Sequence, residues 1–240
     1  MASVAFMGLG VMGRGMAARL IDQRVPVVVW NRSRDRADAL VAASGARDAR
    51  VGASPREAAA TADVVISMVA DDAASRAVWL GEDGALAGAR PGAVLIESST
   101  LSPAWIEELA TRVSLRGGVL RDAPVTGSRT NAAGGQLLFL VGGPSEALER
   151  ARPVLATMSR AIVHVGPTGS GARLKLVNNF VCGVQAVALA EAVAMIERSG
   201  MNRDLAASVL ADGAPGSPLV KTLGLRMIAA DYAVHFDLDL

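Results

Sequence analysis

The chain has 240 residues, of which 51% are hydrophobic and only 3% aromatic, so a sizeable core must be assembled from Ala, Val, Leu, Ile and Met. Twenty-four basic against 23 acidic residues leave a formal net charge of +1, which removes any global electrostatic argument for nucleic acid or an anionic membrane as partner. The lone cysteine, Cys182, excludes an intrachain disulfide framework and fits a reducing compartment.

The opening "MASVAFMGLG" has no basic segment ahead of its apolar residues, unlike a secretory signal. The longest apolar run, "FVCGVQAVALAEAVAMI", is broken by Gln185 and Glu191 and falls short of the ~20 residues of a membrane span. The expectation is a cytoplasmic protein with no membrane partner.

Short apolar runs alternate with Ala-rich amphipathic stretches from Ser3 to about Val165. They predict strands at "VAFM" (4–7), "VVVW" (27–30), "VVISMV" (64–69), "AVLIE" (93–97), "VLRDA" (119–123), "LLFLVG" (137–142) and "IVHV" (162–165). Helical segments of roughly ten to fifteen residues between most of them argue for βαβ units and a mainly parallel sheet. The last pair is expected to leave the parallel pattern, because "DAPVTGSRTNAAGG" offers little helix.

Directly after the first strand, "VAFMGLGVMGRGMAARLI" places Gly8, Gly10 and Gly13 in a G-x-G-x-x-G pattern that opens a helix. The first glycine permits a tight turn, the second lets the backbone approach a pyrophosphate, and the third lets helix and strand pack closely. With Leu9, Val11 and Met12 completing the turn, the segment predicts a dinucleotide site on a Rossmann sheet. At the end of the second strand an acid usually holds the adenosine ribose, but Asn31 and Arg32 stand there. Asn31 removes the charge that repels a 2′-phosphate, Arg32 offers a planar cationic fork for one, and Ser33 adds a hydroxyl. NADPH is thereby favoured over NADH; the other reading makes these arginines a solvated helix start.

Three further stretches, "SMVADD", "ESSTLSP" and "DAPVTGSRTNAAGG", belong at carboxyl ends of strands, where ligands of open α/β sheets lie. "SMVADD" and "ESSTLSP" put Val69, Ala70 and Thr100, with Ala74 in the helix between, beside the nicotinamide half of the groove. Ser102 before Pro103 also reads as a helix cap.

After "GPTGSG" the pattern changes to long helices. A helix over 170–199, about 40 Å long, is the predicted spine of a second, all-α domain, with "RDLAASVLADG" and "SPLVKTLGLRMIAA" as further helices. The expected organisation is a doubly wound α/β domain over 1–166 and an all-α domain over 167–240. Lys175 lies three residues before Asn178 and four before Asn179, so the three share a helical face. Such groups are costly to bury without purpose. A lysine held there can give a proton to a carbonyl oxygen as hydride arrives, with a neighbouring amide fixing its ammonium. An exposed lysine on a solvated stripe is the other reading.

Taken together, "GLGVMG", "DAPVTGS" and "GSGARLKLVNN" in this order and spacing resemble the β-hydroxyacid dehydrogenases over nearly the whole chain. The resemblance implies an N-terminal Rossmann domain, a long connecting helix and a helical domain that forms homodimers or homotetramers. It assigns Lys175 as catalytic lysine and Asn179 as its supporting amide. Thr126, Gly127 and Ser128, with Asn178, would bind the carboxylate of a small substrate, Thr126 standing where many relatives carry serine. Phe236 matches an aromatic that closes over the substrate, and "WNRS" is similar to the strand end of NADP-preferring members. The implied activity is hydride transfer between NADP(H) and a short β-hydroxy acid or aldehyde acid. Lysine's unperturbed pKa of ~10.4 suits a donor at neutral pH, and burial near a cationic nicotinamide would lower it toward use as a base.

Family members continue beyond "HFDLDL", with a second lysine near cofactor and substrate, so a chain ending there reads as cut inside a helix. Two alternatives stay in view: an imine reductase of the same fold, generally without a lysine at this position, and a non-catalytic binding or scaffold module. His164 and His235 show no metal-ligand spacing, and Cys182 reads as a small buried hydrophobe.

Overall fold

The computed structural model describes residues 2–231 and 233. The chain divides into two compact units, Met1–Lys175 and Leu176–Leu240, with the break inside a continuous helix.

In the first unit, β1 (Val4–Met7) leads into α1 (Val11–Asp22), β2 (Val27–Trp30), α2 (Arg34–Ser44), β3 (Ala49–Val51), α3 (Pro55–Ala59) and β4 (Val64–Ser67). There follow α4 (Asp72–Leu80), α5 (Ala85–Gly88), β5 (Val94–Glu97), α6 (Pro103–Ser114), β6 (Leu120–Asp122) and β7 (Val125–Thr126). The unit continues through α7 (Arg129–Ala133), β8 (Leu137–Gly142), α8 (Ser145–Thr157), β9 (Ser159–Gly166) and the start of α9 (Ser170–Arg198).

Among the described residues the nine strands form one sheet in the order β3-β2-β1-β4-β5-β6-β8-β7, with β9 on β8. The pairings from β3 through β6 are parallel, so the order reverses between β1 and β4, as in a doubly wound sheet. β8 runs antiparallel to β6 and β7, while β9 lies parallel to β8. The change of direction expected near the end of the domain therefore occurs at β8. The stretch thought poor in helix holds only the five-residue α7, too little for a parallel crossover.

β1 and β2 are apolar from end to end because both faces of the sheet are covered there. Val4 and Phe6 pack with α1, α2 and α8 on one face, and Ala5 and Met7 with α3 to α6 on the other. Helix α6 shows how sequence sets such an element: Pro103 follows the cap Ser102, whose hydroxyl accepts from the Trp105 N–H. Trp105, Ile106, Leu109 and Val113 then fall on one buried face, each contributing about 1.5–3 kcal/mol of apolar burial.

The second unit holds the rest of α9, then α10 (Arg203–Asp212) and α11 (Pro218–Ile228), matching the two further helices expected. Asn202 and Ser217 cap them through the Leu205 and Val220 N–H groups. Leu189, Val193 and Val220 form its small core, with Leu223 and Met227 against it. Helix α9 runs for 29 residues, longer than the uninterrupted apolar run. Its most apolar 18-residue window has mean hydropathy 1.7 and is 17% buried, so length and composition by themselves do not exclude a membrane span, contrary to the expectation above. Cys182, expected in a core, is half-buried.

Candidate active site

The ends of β1 and β4 meet where the strand order reverses. Gly8 has φ +94°, and a Cβ on it would stand 2.1 Å from the Met68 carbonyl oxygen, so only glycine lets the two strand ends touch. Gly13 is equally confined: a Cβ there would lie 2.0 Å from the Gly8 oxygen. Gly10 is different, with nothing within 4 Å of such a Cβ. It precedes α1 without any side-chain cap, so the first-turn N–H groups near Val11 and Met12 are left for an anion. A turn, an open approach and a close packing contact are what a dinucleotide pyrophosphate requires of these three glycines, and the residues fit that group.

Asn31 is half-buried, and its Oδ1 accepts from the N–H of the buried Leu9 at 2.8 Å while its Nδ2 donates to the Ser33 oxygen at 2.9 Å. It is therefore a strut between glycine turn and second strand, a role its reading as a missing acid did not contain. Arg32 is exposed and has no ion pair or side-chain hydrogen bond among the described residues, whereas Arg34 is paired with Asp38 at 3.2 Å. Ser33 precedes α2 with no side-chain cap bond.

After β4, the half-buried Val69 donates its N–H to Ser99 Oγ at 2.7 Å, and Ala70 is exposed. The Ala74 N–H is taken by Asp71 Oδ1 at 2.7 Å in the cap of α4. Thr100, half-buried, follows Ser99. Thr126 pairs with Leu138 across β7 and β8. Gly127 has φ +137°, a backbone conformation that side chains rarely adopt, and a Cβ there would press on Leu137 Cδ2 at 3.0 Å. The Ser128 hydroxyl accepts from the Asn131 N–H at 3.2 Å and donates to Asn131 Oδ1 at 2.7 Å, so it already holds the start of α7.

Asp122, at the head of this loop, was not singled out from the sequence. It is fully buried, and its Oδ1 accepts from the Gly169 N–H at 2.7 Å while its Oδ2 accepts from the Ala172 N–H at 2.9 Å. The strand end that leads into Thr126–Ser128 thus caps α9, one turn ahead of Lys175. Burial pushes the Asp122 carboxyl above its ordinary range, while these backbone donors pull it back. Gly171 closes the fit, as a Cβ there would lie 2.3 Å from the Leu140 oxygen. An acid at the end of an apolar strand, followed by Ala-Pro, was the signal available.

Lys175 is half-buried and ends the first unit; Asn178 and Asn179, half-buried, begin the second on the same helix. Asn178 Nδ2 bonds Asn179 Oδ1 at 3.3 Å and Cys182 Sγ at 3.8 Å. Phe236 and His235 lie outside the described residues.

Residues 3–166 match the family model described as the NAD binding domain of 6-phosphogluconate dehydrogenase. Residues 169–240 match that described as NAD-binding of NADP-dependent 3-hydroxyisobutyrate dehydrogenase. The NAD-dependent L-serine dehydrogenase of Pseudomonas aeruginosa is 38% identical over 90% of this chain and 72% of its own length. The chloroplastic glyoxylate/succinic semialdehyde reductase 2 of Arabidopsis thaliana is 33% identical over 98% of this chain, which spans 65% of that protein. Among solved structures, 3-hydroxyisobutyrate dehydrogenase of Mycobacterium tuberculosis with L-serine superposes with TM-score 0.81 at 37% identity, covering 92% of this chain and 74% of that one. The fold extends to a Streptomyces aurantiacus imine reductase, 28% identical with TM-score 0.74 over 95% of this chain and 75% of the other. With its glycine turn at the reversal of a doubly wound sheet and a lysine one turn into the helix that Asp122 caps, the chain belongs to the β-hydroxyacid dehydrogenase family of nicotinamide-dependent oxidoreductases.

Proposed function

We propose that the protein interconverts a short β-hydroxy acid and the corresponding aldehyde acid, with NADP(H) preferred over NAD(H) and Lys175 as general acid and base. The observation that carries this reading is the Asp122 clasp, which ties the start of the Lys175 helix to the strand end before Thr126, Gly127 and Ser128. Proton donor and carboxylate-binding loop then keep a fixed spacing, which acid catalysis demands.

When bound, the cofactor supplies or accepts the hydride at the substrate carbon. Gly8, Gly10 and Gly13, with the backbone of Leu9, Val11 and Met12, would hold its pyrophosphate. Arg32 and Ser33 would take the 2′-phosphate beside the uncharged Asn31. Val69, Ala70, Ala74 and Thr100 would border the nicotinamide half. Thr126, Gly127 and Ser128 would bind the substrate carboxylate. In reduction Lys175 Nζ donates its proton to the carbonyl oxygen; in oxidation it removes the proton of the hydroxyl. Asn179, four residues further along the helix, holds the ammonium in register. One relative is named for NAD and one family model for NADP, so the preference rests on the unpaired Arg32.

Lys175→Ala tests the assignment. NADPH affinity is expected to be retained and turnover to fall by at least about a hundredfold, the scale of a general acid; turnover within a few fold of the parent would remove Lys175 from the chemistry. The homo-oligomer proposed here draws on the α9 face, where Phe180 is 71% and Val187 67% exposed and Val177, Val181 and Val184 lie open beside them. Sedimentation equilibrium should find dimers or tetramers, and a monomer at micromolar concentration contradicts it.

A further inference from the structure

Behind the loops that follow β4 and β5 lies a buried polar cluster that the reaction as described leaves unused. Glu97, fully buried at the end of β5, accepts on Oε2 from Ser75 Oγ at 2.6 Å and from Trp79 Nε1 at 2.8 Å. Its Oε1 accepts from the Ser99 N–H at 2.9 Å. Trp105 Nε1 in turn donates to Ser75 Oγ at 2.9 Å. Both indole N–H groups can only donate, so part of the cluster satisfies the core. A core filler alone would be cheaper without a carboxylate, because burying one carries a large desolvation cost.

One branch of the cluster leads outward. Ser99, whose N–H Glu97 accepts, in turn takes the Val69 N–H on its Oγ at 2.7 Å. Glu97 thus holds the backbone of the residue whose hydroxyl oxygen receives Val69. Val69 follows Met68, whose carbonyl oxygen abuts Gly8, and Thr100 follows Ser99. A second tie between the two loops runs from the Ser102 N–H to Asp72 Oδ1 at 3.0 Å.

We propose that Glu97, by holding the Ser99 backbone, is a positioning residue for the cofactor: it fixes the Val69 backbone against the glycine turn and Thr100 beside it. The inference rests on the reading that this unit binds a nicotinamide dinucleotide. Its test is direct titration of the 240-residue chain with NADPH and NADH, followed by tryptophan fluorescence and paired with thermal midpoints and steady-state kinetics. Ser99→Ala strands the Val69 N–H and should weaken cofactor binding about tenfold, the size of one hydrogen bond, with the KM for the acid substrate within twofold of the parent. Ser99→Thr restores the hydroxyl and should recover most of that loss. Glu97→Gln presents an amide N–H to Ser99 while keeping an oxygen for Trp79, and should weaken cofactor binding similarly with little change in tryptophan emission maximum. If Ser99→Ala and Glu97→Gln lower the thermal midpoint yet bind cofactor within twofold of the parent, the cluster only supports the core and the inference fails. If the parent chain binds neither cofactor, the dinucleotide reading fails and takes the inference with it.

Discussion

Replacing Asp122 by asparagine tests the joint between loop and catalytic helix. The carboxylate serves Gly169 and Ala172, one through each oxygen. Asparagine keeps one acceptor and turns an N–H₂ group toward the other donor. With its oxygen facing Ala172, the Gly169 N–H is left buried against another donor. A lost charge-assisted bond costs about 1.5–3 kcal/mol, and a stranded buried donor about 1–3 kcal/mol of the same loss. Part is recovered because a buried charge no longer has to be desolvated, which is what holds the Asp122 carboxyl high. The net expectation is about 2 kcal/mol of lost stability. The helix start has no room to slide, as the Gly171 contact with the Leu140 oxygen shows, so it must tilt or fray. A displacement near 1 Å at a reacting group costs about a hundredfold in rate, so kcat is expected to drop by roughly ten- to a hundredfold with NADPH affinity unchanged. Urea unfolding followed by tryptophan emission, and initial rates on the best short aldehyde acid, measure the two quantities. An unfolding midpoint and kcat both equal to the parent's would refute the clasp as an organising contact.

Two further outcomes follow from single groups. Arg32→Ala should weaken NADPH binding by at least about tenfold while leaving NADH nearly unchanged, since only the former carries the 2′-phosphate; equal losses for both cofactors, read by titration, would end the assignment. Glu97 is held above its ordinary 4.5 chiefly by burial, against bonds from Ser75, Ser99 and Trp79. The folded state therefore binds its proton more tightly than the unfolded one, and its contribution to stability, complete below about pH 4.5, is lost as pH rises through the folded value. Urea midpoints of Glu97→Gln should gain on those of the parent as pH rises above about 4.5; parallel curves would show that the burial penalty is absent.

Much of this protein is written locally. β1, β2 and β8 stand where uninterrupted apolar runs end, because a strand covered on both faces has no polar position to blur its limits. The glycines of the turn declare themselves by spacing, and the caps of α6 and α11 by Ser-Pro. β3, with the exposed Arg50 at its centre, and the two-residue β7 carried no such pattern and emerge only from their partners. The 29-residue α9 continues past Gln185 and Glu191, since a helix tolerates polar residues that an apolar run does not.

What the sequence by itself determined is the alternation of strand and helix, the cofactor turn and the spacing that puts Lys175, Asn178 and Asn179 on one helical face. Tertiary structure alone decided what the polar groups do. Asn31 became a strut to Leu9, 22 residues earlier, and Asp122 the cap of a helix 47 and 50 residues later. Periodicity reports which side of an element avoids water, a property each segment carries within itself. Whether a buried carboxylate finds its donors depends on where distant backbone N–H groups come to rest, and only the folded chain brings them together.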